Sequence, residues 1–294
     1  GGINAGRSDR LSLAAVAPDL FTAFRRHRSL IVGLRSERRK TPPSDAPLFL
    51  GLRGGMERLT STLAAKLDIR LSTAVEAVSR PEGHLSVAVR GGEGLPADAV
   101  VLATPAPTTA DALLGASPKA AASLSQIRYA SVAVATLAYK PADVVHPLNG
   151  SGFLVPRVDG RLLTACTWFS SKWPDVQPNG LVLLRCSAGR DGDERTAELD
   201  DTELVARLHA EAAEALGLRA APVESVVTRW PNAFPQYDVG HLGRVDAAER
   251  ALARQLPGVT LVGASYRGVG IASCVRQAKE VAGRVAGALG TLRS

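Results

Sequence analysis

The sequence predicts a mixed α/β fold, α+β in arrangement: a partial α/β layer, and a second domain on a mixed or antiparallel sheet with helices. Three observations predict it. The apolar run at 98–103 reads as a strand buried on both faces, and 259–262 as a buried strand. The second run leads into a glycine-rich loop and an Ala- and Val-rich helix over 271–289. Between the runs, residues 111–235 are strand-rich.

The elements follow in order. Residues 18–40 start at Pro18 and place Leu20, Phe21, Phe24, Ile31 and Leu34 on one helical stripe. Arg25, Arg26, Arg28, Arg35, Arg38, Arg39 and Lys40 make the other face basic. The solvated face of a packed helix is the favoured reading; a helix on an anionic membrane surface is the other. Residues 41–45, Thr-Pro-Pro-Ser-Asp, read as a linker. Gly54, Gly55 and Met56 form a turn that opens an amphipathic helix carrying Leu59, Leu63, Ala64 and Leu67. Short strands are expected at 69–71, 75–78 and 85–89, then at 98–103, with a helix after Thr104-Pro105. The middle offers strands at 130–139, 152–155, 161–168, 181–187 and 223–230. A helix at 201–217 has Asp200, Asp201 and Glu203 at its start and Gly217 as its stop.

Composition narrows the function classes. With 294 residues, 46% of them hydrophobic, the chain can bury a sizeable core. A net charge of +7 favours anionic partners, or marks a solvated Arg-rich surface. A nucleic-acid partner is not expected, because the basic stretch 25–40 lacks interleaved aromatics. Cys166, Cys186 and Cys274 are odd in number and widely spaced, so neither a disulfide framework nor a metal set is expected, and a reducing cytoplasmic location fits. His27, His84, His146, His209 and His241 show no ligand spacing. His241 reads as a turn-capping or surface residue in preference to a base. No apolar run of about 18 residues predicts a membrane-spanning helix.

A strand, a glycine-rich loop and a helix form a dinucleotide or phosphate arrangement in physical terms. Glycines let backbone amides approach a ligand, and the helix N-terminus turns partial positive charge toward it. A tight turn with no ligand is the plain alternative, since Gly263, Gly268 and Gly270 do not give the GxGxxG pattern.

The segment Gly263-Ala264-Ser265-Tyr266-Arg267-Gly268-Val269-Gly270-Ile271-Ala272-Ser273-Cys274 closely resembles the C-terminal flavin motif of the protoporphyrinogen and coproporphyrinogen III oxidases. Residues 229–241, with Trp230 and Pro235-Gln236-Tyr237 through Gly240-His241, are similar to a second motif of that family. Gly6 to Leu13 resembles the pattern A-G-x-x-x-x-L-S-L found midway along the family's sequences. The resemblance runs in order along essentially the whole sequence. It implies FAD as cofactor and a partial FAD-binding domain of the glutathione-reductase-like type beside a substrate domain. Residues 1–48 would end a helical, membrane-facing region, and 49–110 would return to the FAD-binding domain. Residues 111–240 would form the substrate domain, and 241–294 the last FAD-binding segment.

By position, the resemblance places Val75 near the adenine side and Trp230 near the flavin. Gly263, Ala264, Gly268, Val269, Gly270 and Ile271 fall in the loop over the isoalloxazine end. Ser151, Phe153 and Leu154 fall on a strand facing the tetrapyrrole. It implies oxidation of a porphyrinogen to a porphyrin, with dioxygen as acceptor and hydrogen peroxide as product, and it calls for no catalytic side chain. The basic balance leans toward the four-carboxylate coproporphyrinogen III over protoporphyrinogen IX. The start at Gly1-Gly2-Ile3 and the absence of a Rossmann fingerprint imply that an N-terminal unit is missing, so weak FAD binding is expected of this polypeptide. The strands at 99–103 and 259–262 are then expected to lack sheet neighbours. Rival readings are another flavin amine-oxidase-type enzyme, such as a phytoene desaturase or amine oxidase, and an inactive porphyrin-binding relative.

Overall fold

The computed structural model describes residues 4–27, 29–40, 50–173, 176 and 178–292. The protein divides into two compact units. Residues 1–12, 125–242 and 263–277 form the first, and the remainder forms the second.

The second unit carries the helices α1 (Leu13–Val16), α2 (Pro18–Arg26), α3 (Leu30–Lys40) and α4 (Glu57–Ala64). The basic stretch is thus two helices, interrupted where His27 turns extended. The linker expected at 41–45 lies outside the described residues, as do Arg28 and the side chains of Arg38, Arg39 and Lys40. Strands β1 (Val75–Ser79), β2 (Leu85–Val89) and β3 (Leu95–Ala97) form an antiparallel sheet. The expected strand at 69–71 is not one. Residues there are exposed and turn-like, with no partner strand to fix them.

Strand β4 (Val100–Leu102) leads to α5 (Ala106–Leu113) and α6 (Pro118–Leu124). The parallel partner of β4 is β10 (Val259–Leu261), so these two strands neighbour each other, and no third strand joins them among the described residues. Burial on both faces, expected of β4, does not hold. Val100 and Leu102 are buried, but Val101 between them is 45% exposed. Val259 and Leu261 are buried, and Thr260 between them is only partly so.

The first unit is built on five strands: β5 (Tyr129–Tyr139), β6 (Gly152–Leu154), β7 (Leu163–Trp168), β8 (Val182–Ala188) and β9 (Glu224–Pro235). They form an antiparallel sheet in the order β6-β7-β8-β5-β9. Short helices α7 (Phe169–Lys172) and α8 (Arg195–Glu198) precede the long α9 (Asp201–Leu216). Helix α9 buries Leu204, Leu208, Ala212 and Leu216, a strict four-residue stripe. That stripe joins Leu137, Tyr139, Cys166, Leu184 and Cys186 in one core. The Asp200 carboxylate caps α9 by accepting from the Glu203 amide at 2.8 Å, and Gly217 ends it at φ +64°, where a side chain would be strained.

Alternation along the strands leaves the other sheet face open. Val132, Val134 and Thr136 of β5 point away from the helices, as do Arg185 and Ser187 of β8 and Val226, Thr228 and Trp230 of β9. Arg229 fixes this orientation. Its guanidinium bonds Asp201 and the carbonyls of Thr196 and Leu199 on the helix side, which turns Trp230 to the open face. Strand β9 ends the sheet, and the pairing shifts around Pro231 and Asn232, a bulge that admits the proline.

Two helices are left. Helix α10 (His241–Gln255) precedes β10, and α11 (Ile271–Leu292) is the last element. Truncating Leu208 to Ala is expected to cost about 2–5 kcal/mol by opening a cavity under the sheet. Removing the α9 cap with Asp200→Ala should cost about 1 kcal/mol. Urea unfolding followed by far-ultraviolet circular dichroism checks both, and equal shifts would contradict the assigned core.

Candidate functional site

Three short segments meet in the first unit. Residues 4–12 run beside 236–239: Leu11 bridges Asp238, Ser12 N donates to Tyr237 O at 2.7 Å, and Val239 N donates to Arg10 O at 3.0 Å. The Gln236 amide donates to Asn4 O at 2.9 Å. Arg128 joins Asp238 at 2.9 Å to the buried Asp191 at 2.6 Å, and the amide of Asp191 donates to Ala5 O. The two carboxylates hold the Arg128 guanidinium above its usual range, Asp191 first.

The third segment is the glycine loop 263–270. The Tyr237 hydroxyl donates to Ala264 O at 2.7 Å and accepts from the Gly268 amide at 2.8 Å. One phenol therefore ties both ends of the loop. His241 stacks on the Tyr237 ring at 3.9 Å, and its Nε2 lies 2.8 Å from Tyr266 O. The loop also meets the sheet, where Tyr129 and Ser265 share a 2.7 Å hydroxyl bond. Gly268 sits at φ +134°, and a Cβ there would come within 2.7 Å of the Ser273 Cβ. Its carbonyl accepts from Gln277 at 3.5 Å and faces the Cys274 thiol at 3.7 Å.

Held in this way, the loop presents its backbone. The amides of Val269, Gly270, Ile271, Ala272 and Ser273 make no hydrogen bond among the described residues, and the ladder of α11 starts with the Cys274 amide on Gly270 O. These are the orphan donors of a helix N-terminus, together with the two amides before it. Gly270 has open space where a Cβ would stand, and Ile271 is 57% exposed. A planar, electron-accepting ring with carbonyl oxygens on one edge fits such a surface, since the amides and the helix end stabilise negative charge there.

Gly263, Ala264, Gly268, Val269, Gly270 and Ile271 thus lie in one structural feature. Trp230 stands on the open sheet face, 53% exposed, toward the end where β5 begins and the loop attaches. Leu154 shares that face through its pairing with Ala165. Phe153 does not. It alternates to the helix side and packs against the core, so it and Leu154 face opposite ways. Ser151 is exposed and its carbonyl accepts from Trp168 N at 3.1 Å. Val75 belongs to the second unit, at the half-exposed start of β1.

Sequence reasoning missed two residues of this site. Tyr237 was visible only as a motif letter. His241, expected at a turn or the surface, is 1% exposed beneath it. No periodic signal marks the pair, because Tyr237 precedes the helix that begins at His241. Cys166 and Cys186 pack in the core, reduced, as expected for packing residues. Among the described residues no cluster of His, Cys, Asp or Glu could hold a metal, and no helix is long and apolar enough to cross a membrane.

A family model, flavin containing amine oxidoreductase, matches residues 1–286. The protein belongs to that family. Coproporphyrinogen III oxidase of Bacillus subtilis is 32% identical, over 60% of its own length and 95% of this chain. Human protoporphyrinogen oxidase is also 32% identical, over 64% of its own length and 97% of this chain. The sequence thus spans about 60% of the length of the curated relatives it matches. A crystal structure of an Exiguobacterium protein assigned as a protoporphyrinogen oxidase superposes with a TM-score of 0.79, at 30% identity, over 60% of its own length and 95% of this chain. Cyclohexylamine oxidase of Brevibacterium oxydans shares the fold, at 16% identity and a TM-score of 0.61, over 53% of its own length and 80% of this chain. Family membership implies a flavin cofactor.

Burial pushes the Tyr237 phenol up to about 12, and the Gly268 amide pulls the other way. An unfolded tyrosine titrates near about 10. The stabilisation of the neutral phenol is therefore fully present below about pH 10 and is lost as pH rises toward 12. Tyr237→Phe should remove part of this alkaline loss and, by stranding the Gly268 amide and Ala264 carbonyl, lower stability at pH 7 by about 1–3 kcal/mol. Thermal melts from pH 7 to 12 test it; unchanged melting at every pH would contradict the staple.

Proposed function

We propose that this protein provides the isoalloxazine-side loop and the substrate-facing sheet of an FAD-dependent porphyrinogen oxidase. The observation that carries the reading is the run of amides at 269–273 without a partner among the described residues, next to the Gly268 amide tied by Tyr237, in a protein whose relatives bear porphyrinogen oxidase names. Residues 49–110 and 241–294 would belong to a glutathione-reductase-like FAD-binding domain, with Val75 on the adenine side. The chemistry a bound FAD supplies is hydride removal from the porphyrinogen, with dioxygen as final acceptor and hydrogen peroxide as product.

The protein's own residues bind and orient. The amides from Val269 to Ser273 would hold the flavin ring, and Trp230 would flank it. Leu154 and the valines of β5 and β9 offer an apolar wall to the macrocycle and exclude water from it. No side chain moves a proton in this scheme. Coproporphyrinogen III is the favoured substrate, supported by the basic balance of the sequence. Helices α2 and α3 would meet an anionic membrane peripherally, since Phe24, Ile31 and Val32 are exposed beside Arg25 and Arg26.

The protein expressed from its own gene and supplied with FAD in air should turn coproporphyrinogen III into fluorescent porphyrin, with peroxide formed in step. Gly268→Ala, strained at φ +134° and crowding Ser273, should lower that rate at least about tenfold. Flavin-dependent oxidation of amines or carotenoids, with none of porphyrinogens, would overturn the reading.

A further inference from the structure

Two cavities of the first unit differ in charge. The larger, about 480 Å³, holds Arg157, Arg161, Arg190 and Arg195 together with Asp193, Glu194 and Glu198. Its cations are partly matched, since Arg195 meets Asp193 at 2.7 Å and Arg161 forks onto Glu214 at 2.6 and 2.7 Å. The smaller, about 260 Å³, opens on the sheet face opposite α9, beside the short α7. Arg185, Lys172, Thr167, Ser187, Phe169 and Trp173 line it, and no carboxylate does among the described residues.

Arg185 stands on β8, the middle strand, between Thr136 and Thr167. Its guanidinium lies over the Phe169 ring at 5.4 Å, in a cavity that offers it no acidic partner among the described residues. Elsewhere in this unit Arg128, Arg161, Arg195 and Arg229 each close onto a carboxylate. A planar fork of donors, stacked on a ring and with no carboxylate beside it among the described residues, matches a carboxylate from outside. The hydroxyls of Thr167 and Ser187 can donate to its remaining lone pairs, and Phe169 and Trp173 give an apolar flank.

We propose that Arg185 anchors a carboxylate of the substrate, carried on a broad, largely apolar body that lies along the open face toward Trp230. With strands about 4.8 Å apart and about 3.4 Å per residue, Arg185 and Trp230 stand roughly 17 Å apart on that face. The carboxylate is thereby held well away from the loop end, where oxidation would occur. The assignment rests on the porphyrinogen reading for the identity of that body, and it makes Arg185 a residue that favours substrates rich in carboxylates.

The test is equilibrium binding to the 294-residue protein, followed by porphyrin fluorescence and by quenching of tryptophan emission. The probes are coproporphyrin III, its tetramethyl ester and 3-phenylpropionate. Arg185→Gln should weaken the tetra-acid and phenylpropionate at least about tenfold while leaving the ester unchanged, and Arg185→Lys should recover part of the loss. Equal tetra-acid binding by the wild type and Arg185→Gln overturns the anchor and leaves the porphyrinogen reading standing. Arg185-dependent binding of phenylpropionate with no binding of either porphyrin supports the carboxylate anchor and sinks the porphyrinogen reading. Phenylpropionate binding that ignores Arg185 overturns the anchor.

Discussion

The hydroxyl of Tyr237 is the constraint from which the site follows. It accepts one amide and donates to one carbonyl, and those groups belong to the two ends of the same loop. A glycine-rich loop free of such a tie would collapse onto its own donors or fray. Here the phenol satisfies Ala264 and Gly268, and the next five amides have no partner among the described residues. Burial keeps the phenol neutral, so the tie survives wherever the protein works. His241 stacks behind the ring, and the strand of residues 4–12 holds the segment from its other side.

The sheet supplies the second half of the arrangement. One face is filled by α9, so every second side chain on the other face is free for a ligand. Arg229 decides which residues those are. Its three bonds to the helix side commit its neighbour Trp230 to the open side. The loop attaches at the Tyr129 end of this sheet. The loop and the open face therefore adjoin within one unit.

Much of this was legible in the sequence, and the parts that were not have physical reasons. Helix α9 announced itself through its acidic start, its four-residue stripe and Gly217. The glycine loop stood out because no apolar pattern explains its glycines. Periodicity could not reveal that the helix at 18–40 breaks at His27, since the stripe continues across the break. The strand expected at 69–71 failed because a short apolar run without a partner has nothing to pair with. Phe153 and Leu154 looked equivalent as apolar neighbours, yet period two sends them to opposite faces. Tyr237 was hidden most thoroughly: a buried aromatic reads as core, and its role lies in a hydroxyl whose partners are about thirty residues away.

The central claim is that the backbone from 269 to 273 is what meets the flavin ring. Amide nitrogen and proton shifts of the isotopically labelled protein, followed while FAD is added, report on that backbone directly and detect weak binding as well as tight. The account predicts that the largest shifts fall on Val269, Gly270, Ile271, Ala272 and Ser273, with smaller ones on Gly268 and the indole of Trp230. Saturable shifts elsewhere, with those five amides unmoved, would contradict it.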